Sequence, residues 1–440
     1  MRLLTIFEYI KNSYWFLPGL MNLLALVFSL IIPSIERKLV SSGKLQFSWI
    51  YSGGEEGARV VMATIAGSMI GVAGVAFSVT IVTLVLASNQ FGPRLIQNFM
   101  RDKGIQVVLG AFLATFLYCL MILRHVENSN SVDSFVPNFS VTFGVFLAIA
   151  CLGLLIYFIH HVAESIQAPY VLARVSHELT LAINNLFPEE LGKGILDDEN
   201  IDQIRANLEA KFSKDAAEIE AQHSGYIQRI DLFDLMKIAK DKDLLVSIKH
   251  RPGQFIMKGD IAMLVHPKKA LDEQTIKKLR VSFDVSIQKT LAQDVAFAIE
   301  QLVEVAVRAL SPGVNDPFTA IQCIDWLGDG LTLLVNRKIP NPFQTDEEGQ
   351  VRVIAYPVTF KRMVDASFNM IRQNSKNCPA VMFKTLDTIH SILCHTEHPG
   401  YRHILLEHAT MVFHQARQML ETDHDLLDLE DRQIALNQFR

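Results

Sequence analysis

Apolar runs dominate the first third of the chain. Tyr14–Pro33, Val60–Pro93, Val107–Leu123 and Val141–Ile159 carry almost no charge. Each is close to or longer than the ~20 residues that a helix needs to cross a hydrocarbon layer about 30 Å thick. The second run is free of charge from end to end. As a straight helix it would be about 50 Å long, so it must tilt, kink or protrude. The pattern predicts a transmembrane domain over residues 1–165, with spans at about 14–33, 60–88, 107–123 and 141–161.

Lys and Arg in the short loops set the expected orientation. Arg2 and Lys11 precede the first span, and Arg94, Arg101 and Lys103 lie between the second and third. The loop after the boundary pair Arg124 and His125 holds Glu127 and Asp133 but no Lys or Arg. Arg37, Lys38 and Lys44 run against this balance. The weight of charge predicts both termini on the cytoplasmic side, with everything after the fourth span in the cytosol.

Beyond residue 165 the period changes repeatedly. A helical connector is expected over 166–223, including a charged, mostly helical stretch from Asp197 to His223. A small β module follows over 224–267, with strands at Gly225–Ile230, Leu244–Lys249 and Ile261–Val265 around a short helix at Leu232–Lys240. Gly253 and Gly259 bracket alternating apolar positions and read as turns of a small barrel. About forty residues here resemble the second half of lipoyl- and biotinyl-type hammerhead modules. The exposed hairpin-tip lysine of such carriers is missing, so the module is read as structural. Residues 268–440 are expected to be helical, with a strand candidate at Val351–Ala355. Val285–Leu310 forms a long amphipathic stretch in which Glu300, Glu304 and Arg308 make an i,i+4 ladder. The expected fold is thus a membrane α-helical bundle plus a cytosolic α+β domain, mainly helical, with a small β-barrel-like module.

Composition narrows the function. With 20% charged residues and a net charge of −5, the chain offers no overall basic footprint for nucleic acid. Its five cysteines show neither metal nor disulfide spacing, which fits a reducing compartment. No phosphate loop, dinucleotide fingerprint, His-Glu-x-x-His or nucleophile elbow occurs, so no catalytic residue and no cofactor is assigned.

Three places carry candidate chemistry. On the second span Gly67, Gly71, Gly74 and Ser78 share one helix face, as small residues do where helices approach closely in lipid. A packing seam within the bundle or between subunits is the preferred reading, and a pore-facing stripe the sharper one. No carboxylate or lysine lies in a span core, which speaks against a proton relay. At the cytosolic end of the same span, Asn89, Gln90 and Arg94 surround the helix stop Gly92-Pro93. They are either an interfacial anchor or, from several subunits, the mouth of an opening. Ser311, Asn315 and Asp316 form the third place, an anion-binding corner or simply a capped turn before Pro317. Capping explains every residue there and is preferred. His160, His161 and Glu164, and the Cys394, His395, His398 and His403 group, lack a closed ligand set, so no metal is assigned.

The segments GSMIGVAGVAFSVTIVTLVLASNQFGPRLIQNFMRDKGIQVVLGAFLATFLYC, beginning at Gly67, and VRALSPGVNDPFTAIQCIDWL, beginning at Val307, resemble a family of predicted bacterial membrane proteins, domain of unknown function 2254. The resemblance runs over nearly the whole chain. It implies a bacterial inner-membrane protein with this same layout, and it brings no activity or catalytic residue. The functional expectation is an oligomeric channel or pore-like protein, with a membrane-anchored scaffold or ligand sensor as the alternative. Its expected partners are the lipid bilayer, further copies of itself, and a cytosolic protein or small ligand.

Overall fold

A computed structural model describes residues 14–41, 53–95, 99, 102–126, 136–187, 201–291 and 293–439. Arg2, Lys11, Lys44, Arg101, Glu127 and Asp133, which entered the orientation argument, lie outside the described residues. The chain divides into two compact units, residues 1–170 and 171–440.

The first unit is a bundle of helices α1 (Phe16–Ser41), α2 (Glu55–Phe91), α3 (Lys103–His125) and α4 (Asn138–Ser165). All are long and apolar enough to cross a membrane. Each extends beyond the span expected from hydropathy, because polar residues at the ends add turns that a bilayer core does not require. α1 continues through Pro33, as membrane helices often do. α3 lies at the centre, packed against the other three, and is much the most buried. Two apolar clusters hold the bundle. One joins Met69, Ala73 and Ala76 of α2 to Ile105, Val108 and Phe112 of α3 and Phe158 of α4. The other joins Ala58 and Met62 to Tyr118, Cys119 and Ile122, with Ala25 and Val141.

The second unit begins within α5 (Ala168–Leu186), which buries Val171, Leu172, Val175, Leu179 and Ile183 on one face. After α6 (Ile201–Asp215) come β1 (Ala217–Glu220), β2 (Gly225–Ile230), α7 (Leu232–Asp241), β3 (Leu245–Ile248), β4 (Phe255–Ile256) and β5 (Ile261–His266). Next are α8 (Glu273–Val281), β6 (Phe283–Ser286), α9 (Val295–Ala309), α10 (Pro317–Val335), β7 (Phe343–Thr345) and β8 (Val351–Ile354). The helices α11 (Phe360–Asn374), α12 (Pro379–Cys394), α13 (Pro399–Arg417) and α14 (Asp423–Asn437) complete it.

The barrel-like module is not what forms. The strands build two open sheets, one in the order β1-β5-β3-β8-β7 and the other β4-β2-β6. β3 is full on both sides, pairing antiparallel with β5 and parallel with β8, so Val246 lies opposite Val353. A strand from far along the chain takes the place that barrel closure would need. Two expected helical stretches are also interrupted. Ala217–Glu220 is strand β1 on the edge of the larger sheet, and Phe283–Ser286 is strand β6 paired with β2. α9 therefore starts only at Val295. It is buried along most of its length between α10 and α11, and Glu300 reaches Lys289 at 2.9 Å, leaving Glu304–Arg308 as the i,i+4 pair.

α10 is also long and apolar enough for a span. It carries Asp325 and Asp329 and packs on α9, α11 and α12, with Lys384 of α12 ion-paired to Asp325. We place it in the helical layer of the second unit.

Candidate functional site

The buried face of α2 runs Ala58, Met62, Ala66, Met69, Ala73, Ala76, Thr80, Thr83, Ala87 and Phe91. At about 100° per residue, Gly67, Gly71, Gly74 and Ser78 centre on the opposite side of the helix. All four are exposed, and a Cβ added at any of the three glycines would meet nothing within 4 Å. The stripe is therefore not a seam inside this bundle. Gly67 and Gly71, with Ser68, Val75 and Val79, form one wall of an apolar groove of about 850 Å³ whose other wall is Leu155, Phe158, Ile159 and Val162 of α4.

At the end of α2, Gly92 adopts φ 105° and its N–H returns to Ser88 O at 3.1 Å, stopping the helix as its sequence predicts. Asn89, Gln90 and Arg94 are exposed there. The same end of the bundle holds a polar cluster built from distant residues. Asp102 caps α3, its Oδ1 accepting from Gly104 N at 2.8 Å and Ile105 N at 3.3 Å. His161 of α4 meets that oxygen with Nε2 at 2.9 Å and stacks on Tyr157, with ring centroids 5.2 Å apart. Gly104 makes room for both, since a Cβ there would lie 2.8 Å from His161 Nε2 and 2.9 Å from the Tyr157 hydroxyl. His160 instead pairs with Glu164 at 3.2 Å on the exposed side.

At the other end of the helices, Glu36 of α1 is buried and does for α4 what Asp102 does for α3. It accepts from Phe139 N at 2.6 Å, Ser140 N at 3.1 Å and Ser140 Oγ at 2.8 Å. Both carboxylates thus sit on helix N-termini, where orphan N–H groups and the helix dipole favour negative charge.

In the second unit the Ser311–Asp316 corner is a cap. Ser311 Oγ donates to Arg308 O at 2.6 Å, Asp316 accepts from Thr319 N at 3.1 Å and Thr319 Oγ at 2.6 Å, and Asn315 turns the chain with φ 50°. The C-terminal histidines make separate local contacts. His398 caps α13 through Tyr401 N at 3.3 Å, His395 bonds Ser391 O at 2.8 Å, and His403 pairs with Glu407 at 3.3 Å. Among the described residues no three His, Cys, Asp or Glu side chains come together as a metal site would need.

Outside the bundle, Asp294 is a buried carboxyl at the N-cap position of α9. Burial pushes it up to about 6, Lys289 opposes this, and Glu300 adds to it. Over it lies the Arg251–Gln254 turn, tied by Gly253 N to Ile227 O at 2.7 Å. Gly253 has φ +83°, and a Cβ there would sit 1.8 Å from Asp294 Oδ2.

A family model described as "Predicted membrane protein (DUF2254)" matches residues 11–391. The chain belongs to this family. Uncharacterized proteins of Mycobacterium bovis and Mycobacterium tuberculosis are similar to it, each 27% identical over 431 residues, covering 96% of this chain and 79% of theirs. No solved structure matches.

For this DUF2254 chain, periodicity pointed to the small-residue stripe and the helix stop but not to Glu36, Asp102 or Asp294. A local signal existed for two of them. Asp102 and Asp294 each stand just before an apolar periodic run, the ordinary place for an N-cap. Glu36 carries no such mark, because its partners lie more than 100 residues away.

Proposed function

We propose that this membrane protein works as an oligomeric, passive, pore-like protein whose subunits meet through α2. One observation carries the reading. The face of α2 turned away from its own bundle carries Gly67, Gly71, Gly74 and Ser78 among exposed apolar side chains such as Val60, Val75 and Val85, with open space over each glycine. In lipid, where apolar burial drives nothing, helices associate where small residues let backbones approach, and this face offers that. Between Arg59 and Arg94 the helix holds no ionisable group, which suits a path without proton coupling. Exposed Asn89 and Gln90 would then gather at one end of the assembled helices. On the proposed orientation, with both termini cytoplasmic in a bacterial inner membrane, that end faces the cytosol.

A scaffold or sensor without transport is the second reading. It is favoured by the use of Glu36 and Asp102, whose carboxylates cap helices rather than line a path. The deciding experiment measures oligomeric state in mild detergent and ion flux in liposomes for wild type, Gly71→Leu and Asn89→Ala. A wild-type oligomer that conducts, with flux altered by either substitution, is the expected result. A monomer in detergent and in bilayers, or a folded oligomer silent under varied voltage, pH and tension, refutes the pore.

A further inference from the structure

We propose that the cleft between the C-terminal ends of α11 and α13 binds a phosphate-bearing ligand. The cleft has a volume of about 750 Å³ and is lined by Arg372, Lys376, His414, Gln415 and Gln418, with Gln373 and Met411. Among the described residues not one carboxylate lines it, in a chain whose net charge is −5. Two permanent cations, an imidazole and three amides are the groups that recognise phosphate oxygens.

The cleft's arginine is held in place rather than free to swing. Arg372 Nη1 donates to Gln415 Oε1 at 3.1 Å, and Gln415 Nε2 donates back to Arg372 O at 2.8 Å. This reciprocal pair spends one guanidinium donor, while Nε is buried with no hydrogen-bond partner among the described residues. A guanidinium fixed in this way loses less freedom when it meets an anion.

Basic residues at helix C-termini ordinarily offset the negative end of the helix dipole. That role is largely filled here by other groups. Arg372 O, a terminal carbonyl of α11, already accepts from Ser375 N at 3.4 Å, Ser375 Oγ at 3.0 Å and Gln415 Nε2. The side chains of Arg372 and Lys376 are left with charge to offer a ligand. This inference is independent of any pore.

The test uses the full chain in phosphatidylcholine nanodiscs titrated with pyrophosphate, read by calorimetry and by hydrogen exchange over residues 368–376 and 411–418. Saturable binding that weakens with salt and protects both segments is expected. Arg372→Gln should weaken it at least tenfold. Because that change also breaks the Gln415 contact, Lys376→Gln and Gln418→Glu, both at exposed positions, carry the argument if the first variant misfolds. The former is expected to weaken binding and the latter to abolish it. A second arm omits pyrophosphate and adds phosphatidylglycerol to the disc. Protection of the same segments there would assign the phosphate to a lipid headgroup, and protection in the first arm alone to a soluble ligand. Absence of heat and protection in both arms, or binding unchanged in Lys376→Gln and Gln418→Glu, would overturn the assignment.

Discussion

Replacing Asp294 by asparagine should stabilise the second unit at neutral pH and change the way its stability depends on pH. The carboxyl is buried at the start of α9, and burial raises it from 3.8 to about 6. At about 1.4 kcal/mol for each pH unit, holding the ion there at pH 8 costs about 3 kcal/mol relative to the unfolded chain. The sign follows from the direction. A folded-state value above the unfolded one favours the fold at low pH, and that advantage fades as pH rises from about 4 through 6. Asparagine has the same shape, is among the preferred N-cap residues and never ionises. The stability of Asp294→Asn minus that of wild type should therefore grow by about 2.5 kcal/mol between pH 4 and pH 8. For a unit of this size that is a relative rise in Tm on the order of 5–10 °C.

The assay is differential scanning fluorimetry of the full chain in detergent, both proteins at each pH, with Trp326 reporting on α10. Taking the difference at each pH cancels other groups that titrate in the same range. Parallel curves for the two proteins, or an asparagine variant that falls behind wild type toward pH 8, would refute the account. The first result would mean that the carboxyl is hydrated, and the second that the ion has a partner worth more than its burial costs. Gly253→Ala supplies a control, because its Cβ would meet the same carboxylate at a backbone φ of +83°. It should cost on the order of 2 kcal/mol at every pH.

Two further outcomes follow from buried groups. Glu36→Ala should strip three hydrogen bonds from the start of α4 and destabilise the bundle by about 3 kcal/mol, read as increased hydrogen exchange at Phe139 and Ser140; unchanged exchange there would show that Glu36 is not their acceptor. His408 is fully buried with Nε2 2.8 Å from Asp365 Oδ1, and burial holds it below 6.5 despite that partner. Its contribution to stability is present above pH 6.5 and lost as pH falls toward the lower folded value. The gap in Tm between wild type and His408→Gln should narrow from pH 7 to pH 5, and a constant gap would sink this reading.

What could be read from the chain and what could not separate along one physical line. The ends of α2, the short helix at Leu232, strands β2 and β3 and the Pro317 start of α10 are set by local period, caps and turn residues, and each stands in the structure within a few positions of where its pattern puts it. Pairings over long separations leave no local trace. Val246 opposite Val353, Asp102 against His161 and Glu36 under Ser140 are matters of register between distant segments. The barrel expectation failed for that reason, since local alternation names strands without naming their neighbours.

The stripe on α2 shows the same limit in a finer form. Spacing established that Gly67, Gly71, Gly74 and Ser78 share a face, yet gave no direction. Direction came from the second stripe, Ala58, Ala66, Ala73, Ala76 and Ala87 with Met and Thr between them, which the bundle buries. Both were present in the sequence at spacings of three and four. Read together they describe a helix small on two opposite sides, with one side spoken for by its own bundle. An outward stripe of glycine gives lipid chains little side-chain surface to pack on, and that is the physical basis of the subunit contact proposed for α2.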